Sequence, residues 1–386
     1  MQNIVIDKKG SQIYSQRNLL IIQHPSFGKP LSIPISQIQS LTITTQVDLS
    51  SSLLTRLSEN NVSLCVLPNG RTGAACFLLG SWHAAIERRI QQYDVIHQAS
   101  SRSYWASVLV RLKLHQQANV LIKLQQYCIS ATTQPSGTTG NHTHSAITES
   151  QLTETDEVVQ KLKSLRDKFR KHYPAEAIKP NHPSRVYNDC TPQYQIASLL
   201  GTEGIGSAIY FKCYQQFFAD DLQFCTRNRR PPKDPVNVVL SLSYTLLQHL
   251  YQQAIYSVGF DPYYGVLHSP SYGRQSLACD FVELQRSTID FWVWTLFEQR
   301  ILILEDFSIS GNSDISDDSN YPCELLKSGR SKFYKAFSAI RPILSKHALS
   351  HAWLWQNRIQ RYHSDKTLSP SLFFVSHHPE SSQPAF

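Results

Sequence analysis

The chain has no apolar run approaching the roughly 20 residues that a membrane-crossing helix needs, and residues 1–10 hold no apolar signal core. Its eight cysteines form no CxxC pair and no short-period framework. That excludes a disulfide scaffold and the usual zinc spacings. Cys65, Cys76, Cys213 and Cys279 stand in apolar surroundings, where a free cysteine acts as a small hydrophobe. All eight read as reduced thiols of a cytoplasmic protein. There is no nucleophile elbow, no phosphate loop ending in GK[ST] and no dinucleotide fingerprint. Acid is missing from Leu326 to Ser364, a stretch that holds eight Lys or Arg, whereas Glu305 to Asp318 carries five acids and no base. A formal net charge of +8 favours a polyanionic partner.

At 386 residues, 41% of them hydrophobic, the chain is long enough for two domains with cores of their own. Residues 2–80 hold short β-prone runs, Asn3–Ile6, Gln12–Tyr14, Asn18–Ile22, Ser40–Ile43 and Val62–Leu67, punctuated by Gly10, Pro25, Gly28 and Pro30. One short helix is expected at Ser50–Glu59. After Trp82 the spacing turns helical. Helices are predicted over Ala84–Ala99, Tyr104–Tyr127, Thr153–Tyr173, Gln193–Phe218, Pro235–Val258, Ser276–Gln299 and Ser331–Tyr362. The expectation is α+β: a small sandwich-like or barrel-like domain over 1–81, then a helical domain over 82–364. A Thr-, Ser- and Gly-rich insertion at 131–150 and a loose tail at 365–386 complete the chain.

Chemistry concentrates between Arg227 and Glu283. Asp280 and Glu283 are three apart on a predicted helix, so they share a face, among Leu277, Ala278, Phe281 and Val282. A carboxylate there needs a cation, either a bound ion or a partner such as Arg286. Glu203 lies in a helix between Gly201 and Gly204, which weaken the helix but let another helix or a ligand come close. His268 follows the turn Asp261-Pro262-Tyr263-Tyr264-Gly265. One imidazole with carboxylates suits Mg²⁺ or Mn²⁺, the nitrogen favouring Mn²⁺. The loop Arg227-Asn228-Arg229-Arg230-Pro231-Pro232-Lys233 is basic and stiffened by proline, with arginines suited to phosphate. His142, His144, His377 and His378 lie in the insertion and the tail and are read as incidental.

Four segments taken in order carry a resemblance. They are Glu203-Gly204 in a helix, the run Arg227 to Asn237, Asp261-Pro262-Tyr263-Tyr264-Gly265-Val266-Leu267-His268, and Ser276-Leu277-Ala278-Cys279-Asp280-Phe281-Val282-Glu283. Together they resemble the CRISPR-associated endonuclease/integrase family, the catalytic subunit of spacer acquisition, over nearly the whole chain. The resemblance implies a metal site at Glu203, His268 and Glu283, with Asp280 supporting it. Asn237 then orients the site, and Arg227, Arg229, Arg230 and Lys233 contact DNA. It also implies a prokaryotic cytoplasmic protein that joins short DNA fragments into a CRISPR array through attack of a DNA 3′-hydroxyl at the repeat boundary. The implied assembly is a homodimer formed through the N-terminal domain, two such dimers flanking a dimer of a small ferredoxin-like partner in a heterohexamer. Where the family often has Phe-Arg-Pro after the acidic helix, Gln285-Arg286-Ser287 keeps only the arginine. Two other functions compete: a metal-dependent nuclease on branched DNA in repair, and a catalytically inactive DNA-binding scaffold.

Overall fold

The computed structural model describes residues 2–60, 62–66, 76–78, 86–133, 148–172, 192–229, 231–309 and 323–363. Its first part is assembled from short runs with high strand propensity. These are β1 (Gln2–Ile6), β2 (Gln12–Gln16), β3 (Leu19–Gln23), β4 (Leu31–Pro34), β5 (Ile38–Ile43) and β6 (Asp48–Leu49), then the helix α1 (Ser51–Glu59), β7 (Ser63–Val66) and β8 (Cys76–Leu78). They form two four-stranded sheets, ordered β1-β5-β7-β8 and β4-β3-β2-β6. β5 runs parallel to both β1 and β7, a pairing that needs a crossover rather than a hairpin. α1 supplies the crossover into β7. Leu53 and Leu57, one helical turn apart, bury against Ile13 and Leu20 of one sheet and Leu41 and Ile43 of the other. Ser50 caps α1 by accepting the Leu53 N–H at 3.3 Å. The sandwich-like expectation becomes two mixed sheets sharing one core with a helix. β4, β6 and β8 were not foreseen: β4 is four residues that follow Pro30 and end in Pro34, β6 is two and β8 three.

The remainder is helical. It comprises α2 (Ile86–His97), α3 (Ala99–Thr133), α4 (Glu149–His172), α5 (Pro192–Tyr214), α6 (Pro235–Val258), α7 (Ser276–Val282) and α8 (Arg286–Glu298). A small antiparallel pair, β9 (Phe307–Ile309) with β10 (Cys323–Leu325), precedes α9 (Lys327–His363). α3 packs against α4, α5 and α8, and α6 against α7, α8 and α9. This gathers α3, α5 and the α7–α8 junction around one place. A second apolar core fills this part, and Cys65 of β7 joins it. The architecture is α+β, strands first and helices after.

α3 extends through Thr133 and α4 begins at Glu149, so helix takes in the edges of the predicted insertion. Residues 134–147, the 81/82 boundary and the 365–386 tail lie outside the described residues. One predicted helix is corrected: Ser276–Gln299 is two helices. Leu284 and Gln285 donate to carbonyls three residues back, at 3.1 and 3.0 Å, which tightens the chain and ends α7 at Val282. Gln285 leaves helical geometry (φ −127, ψ 2) before α8 begins. No described helix is long and apolar enough to cross a membrane. The described cysteines are free.

Candidate active site

Asp280 is the fixed point. It is fully buried on α7 and accepts the backbone N–H groups of Val266 (2.6 Å), Leu267 (3.1 Å) and His268 (3.0 Å). Its Oδ1 also stands 2.6 Å from His268 Nδ1. Gly265 makes the approach possible, because a Cβ there would meet Asp280 Oδ2 at 2.4 Å and the Ser276 backbone at 2.7 Å. The Leu277 N–H donating to Pro262 O (2.8 Å) and Ser276 Oγ donating to Ser269 O (3.1 Å) tie the same turn to α7. A carboxylate that gathers three amides can only accept from His268. Nδ1 is therefore the donor to Asp280, which leaves Nε2 as the ring atom turned to an incoming group.

Glu283 ends α7 with its side chain 5% exposed. Its Oε1 lies 2.7 Å from Arg286 Nη1 and its Oε2 2.7 Å from Lys113 Nζ. Burial raises the pKa of this carboxyl, but Arg286, Lys113 and His268 outweigh burial and bring it down to about 2. Burial works against charge on Arg286 too, yet Glu283, Tyr244, Asp290 and Glu203 hold its pKa above the usual value. The arginine pairing weighed from the sequence is thus present, alongside a lysine that was not foreseen.

Glu203 reaches the same place from α5. It pairs with the Lys113 ammonium and accepts from Ser207 Oγ at 3.1 Å. The close helix approach expected at Gly201 and Gly204 falls instead at Gly206, where a Cβ would meet Leu114 Cδ2 at 2.3 Å. At Gly201 and Gly204 an added Cβ would meet nothing within 4 Å, so these glycines lie on the solvent face of α5, whereas Glu203 shares the face of Leu199, Gly206 and Ser207.

Beneath Arg286 lies a buried polar layer. Tyr244 on α6 packs under the guanidinium at 4.6 Å and donates to Asp290 on α8, to which Tyr210 also donates at 3.0 Å. Burial pushes the Asp290 carboxyl up to about 6 against the pull of those hydroxyls and of Arg286 and Arg227. Arg227 approaches the other side of this layer, 5.5 Å from the Tyr244 ring.

The basic loop is braced by Asn237. Its amide donates to Thr226 O (2.8 Å) and Asp234 Oδ2 (2.6 Å), while its Oδ1 accepts from Arg227 (2.7 Å) and the Asn228 N–H (3.0 Å). Asn237 therefore orients the loop, and the loop meets the carboxylates through Arg227, Tyr244 and Arg286. Arg227 is half-buried and turned inward, donating also to Ser241 Oγ at 3.0 Å. Arg229 and Lys233 are exposed. Arg230 lies outside the described residues, as do His142, His144, His377 and His378.

Glu203 and Glu283 are thus brought together on Lys113, and His268, backed by Asp280, is near enough to Glu283 to lower its pKa. Among the described residues no three His, Cys, Asp or Glu stand at ion-holding spacing, and the Lys113 ammonium bridges the two glutamates. In kind the donors fit a hard divalent ion: two carboxylates that already converge on positive charge, and an imidazole with a fixed tautomer. Sequence reasoning missed Lys113, Tyr244 and Asp290. The signal for Lys113 was a lysine inside the apolar stripe Leu109, Leu112, Leu114 of α3.

The model of the family described as CRISPR associated protein Cas1 matches residues 4–339. The chain belongs to the Cas1 family. A CRISPR-associated endonuclease Cas1 of Thermodesulfovibrio yellowstonii is 28% identical over 362 residues, covering 94% of this chain and 96% of that relative. Among solved structures, a chain of a Cas6-RT-Cas1–Cas2 complex is similar with a TM-score of 0.69 and 19% identity, over 96% of this chain and 36% of that one. A casposase bound to integration product is similar with a TM-score of 0.68 and 17% identity, over 99% of this chain and 96% of that one. At those identities the two structures share the fold.

Proposed function

We propose that the chain is a divalent-metal-dependent DNA endonuclease and integrase that inserts short DNA fragments into a CRISPR array. The observation that carries this reading is the convergence of Glu203 and Glu283, from separate helices, on one positive charge beside a His268 fixed by Asp280. Glu203, His268 Nε2 and Glu283 would hold Mg²⁺ or Mn²⁺, which when bound supplies charge neutralisation at a phosphodiester and activation of a hydroxyl. The protein's own part is positional. Asp280 keeps the imidazole in its ligating tautomer, and Arg286 keeps Glu283 ionised in a buried setting. Arg229 and Lys233 face solvent where a phosphate backbone can lie, with Arg230 next in the chain and Arg227 anchoring their loop.

Joining is a transesterification. The 3′-oxygen of the fragment bonds to phosphorus at the repeat boundary, the P–O bond to the leaving 3′-oxygen breaks, and a proton passes from one hydroxyl to the other. One phosphodiester replaces another, so no external energy is needed. With water as nucleophile the same site is a nuclease. The shared fold with a casposase on its integration product supports the joining reaction. The shared fold with a Cas1–Cas2 complex supports a small Cas2-like partner within a heterohexamer. The separate apolar core shared by β1–β8 and α1 supports that region as a domain of its own. In this proposal it makes the homodimer contact, and the helical region has the catalytic role.

Strand transfer tests the proposal. A labelled short duplex is incubated with a plasmid bearing a CRISPR repeat, in Mg²⁺ or Mn²⁺, with and without the small partner. Label joined to plasmid by the wild type and not by His268→Ala is the expected result. Cleavage without joining would point to a branched-DNA repair nuclease, and inactivity of both proteins to a scaffold.

A further inference from the structure

Lys113 belongs to α3, an element the metal reading does not use. Its side chain is 3% exposed, in a helix whose neighbouring Leu109, Leu112 and Leu114 are buried. Lysine is almost never buried this fully without a partner. Here it has two, Glu203 from α5 and Glu283 from the end of α7. With Arg286 on the far oxygen of Glu283, two carboxylates face two cations, and the cluster is neutral as it stands. A divalent ion entering between the carboxylates would add two charges beside a buried ammonium, and the two cations would repel. Lysine is suited to leaving such a place, since its charge is compact and its four-carbon stem flexible. The way out is past Glu203, whose side chain is 21% exposed and so opens the pair toward solvent.

We propose that Lys113 is a tethered counter-ion that holds Glu203 and Glu283 together before metal arrives, exchanges with the divalent ion, and then presents its ammonium to a DNA phosphate. The proposal rests on the metal reading of the site. It makes metal and DNA mutually favourable: a phosphate that accepts the released ammonium favours the metal-loaded state, and by linkage the metal tightens DNA. Arg286 stays in place, because the layer of Tyr244 and Asp290 beneath it holds a guanidinium independently of the ion.

Two measurements test it on the intact protein. The first is amine labelling of the wild type read by mass spectrometry, with and without Mn²⁺. Lys113 should be protected without metal and become reactive once Mn²⁺ is added, while Lys113 that stays protected as Mn²⁺ binds would overturn the exchange. The second is calorimetric titration with Mn²⁺. Lys113→Met should bind the ion about tenfold more tightly than wild type, because a competing charge is gone. A short DNA duplex should tighten Mn²⁺ binding in the wild type and do so less in the variant. If Lys113→Met binds Mn²⁺ no better than wild type, Lys113 is only a structural partner of the carboxylates. If the wild type binds no Mn²⁺, or His268→Ala binds it equally well, the metal reading itself fails and the exchange with it.

Discussion

His268, Asp280 and Glu283 reach the site from one short stretch of chain and are locked on arrival, whereas Glu203 comes alone on α5. On the α7 side the candidate site residues are held by several partners: three backbone amides on Asp280, a carboxylate on His268, two cations on Glu283. On the α5 side Glu203 is 21% exposed and is held by Lys113 and Ser207. The difference separates preorganisation from adaptability. One side can fix the geometry of a ligand set before anything binds. The other can adjust to what enters, and the group that spans them is a flexible lysine.

The contrast can be broken most strongly at Asp280. Asp280→Ala removes the acceptor of three buried amides, and urea unfolding should show a loss of about 3–5 kcal/mol. Glu283→Ala comes next, because it leaves Lys113 and Arg286 buried without their shared partner; about 3 kcal/mol should be lost in the same measurement. Asp290 sets a pH test of the layer beneath. Its folded pKa, about 6, lies above the ordinary 3.8, so the folded state binds its proton more tightly than the unfolded chain. The stability it contributes is complete below the ordinary value and is lost as pH rises through 6. Between pH 5 and 8 the wild type should lose about 1–2 kcal/mol more than Asp290→Asn. Of the site's carboxylates Glu203→Ala should cost stability least, under about 1 kcal/mol given its exposure, while strand transfer is abolished. A large destabilisation there would erase the distinction between the two sides. Arg229→Ala with Lys233→Ala should leave stability unchanged and lower the salt slope of DNA binding by about one for each phosphate no longer neutralised.

Much of this was legible in the sequence where local chemistry leaves a mark. Asp234 before Pro235, and Gly259 at φ 92, delimit α6 at the residues foreseen. The turn ending at His268 and the acids three apart were visible because each is a local pattern. The break between α7 and α8 was not, since residues 276–299 contain neither glycine nor proline and the apolar spacing continues through Phe281, Leu284 and Ile289. Lys113 stood out only as a lysine in an apolar stripe, and its place at the site was out of reach for a different reason. Its partner Glu203 lies 90 residues away, and only the packing of α3 on α5 joins them. Asn237 was expected to orient the metal site; a side chain's direction is set by what the fold presents, and here that is the basic loop.

The most direct measurement is anomalous diffraction from crystals of the protein soaked in Mn²⁺. The account predicts one strong peak bounded by Glu203, His268 Nε2 and Glu283, with the Lys113 ammonium no longer between the carboxylates. A peak elsewhere, or none with Lys113 still bridging the two glutamates, would contradict it.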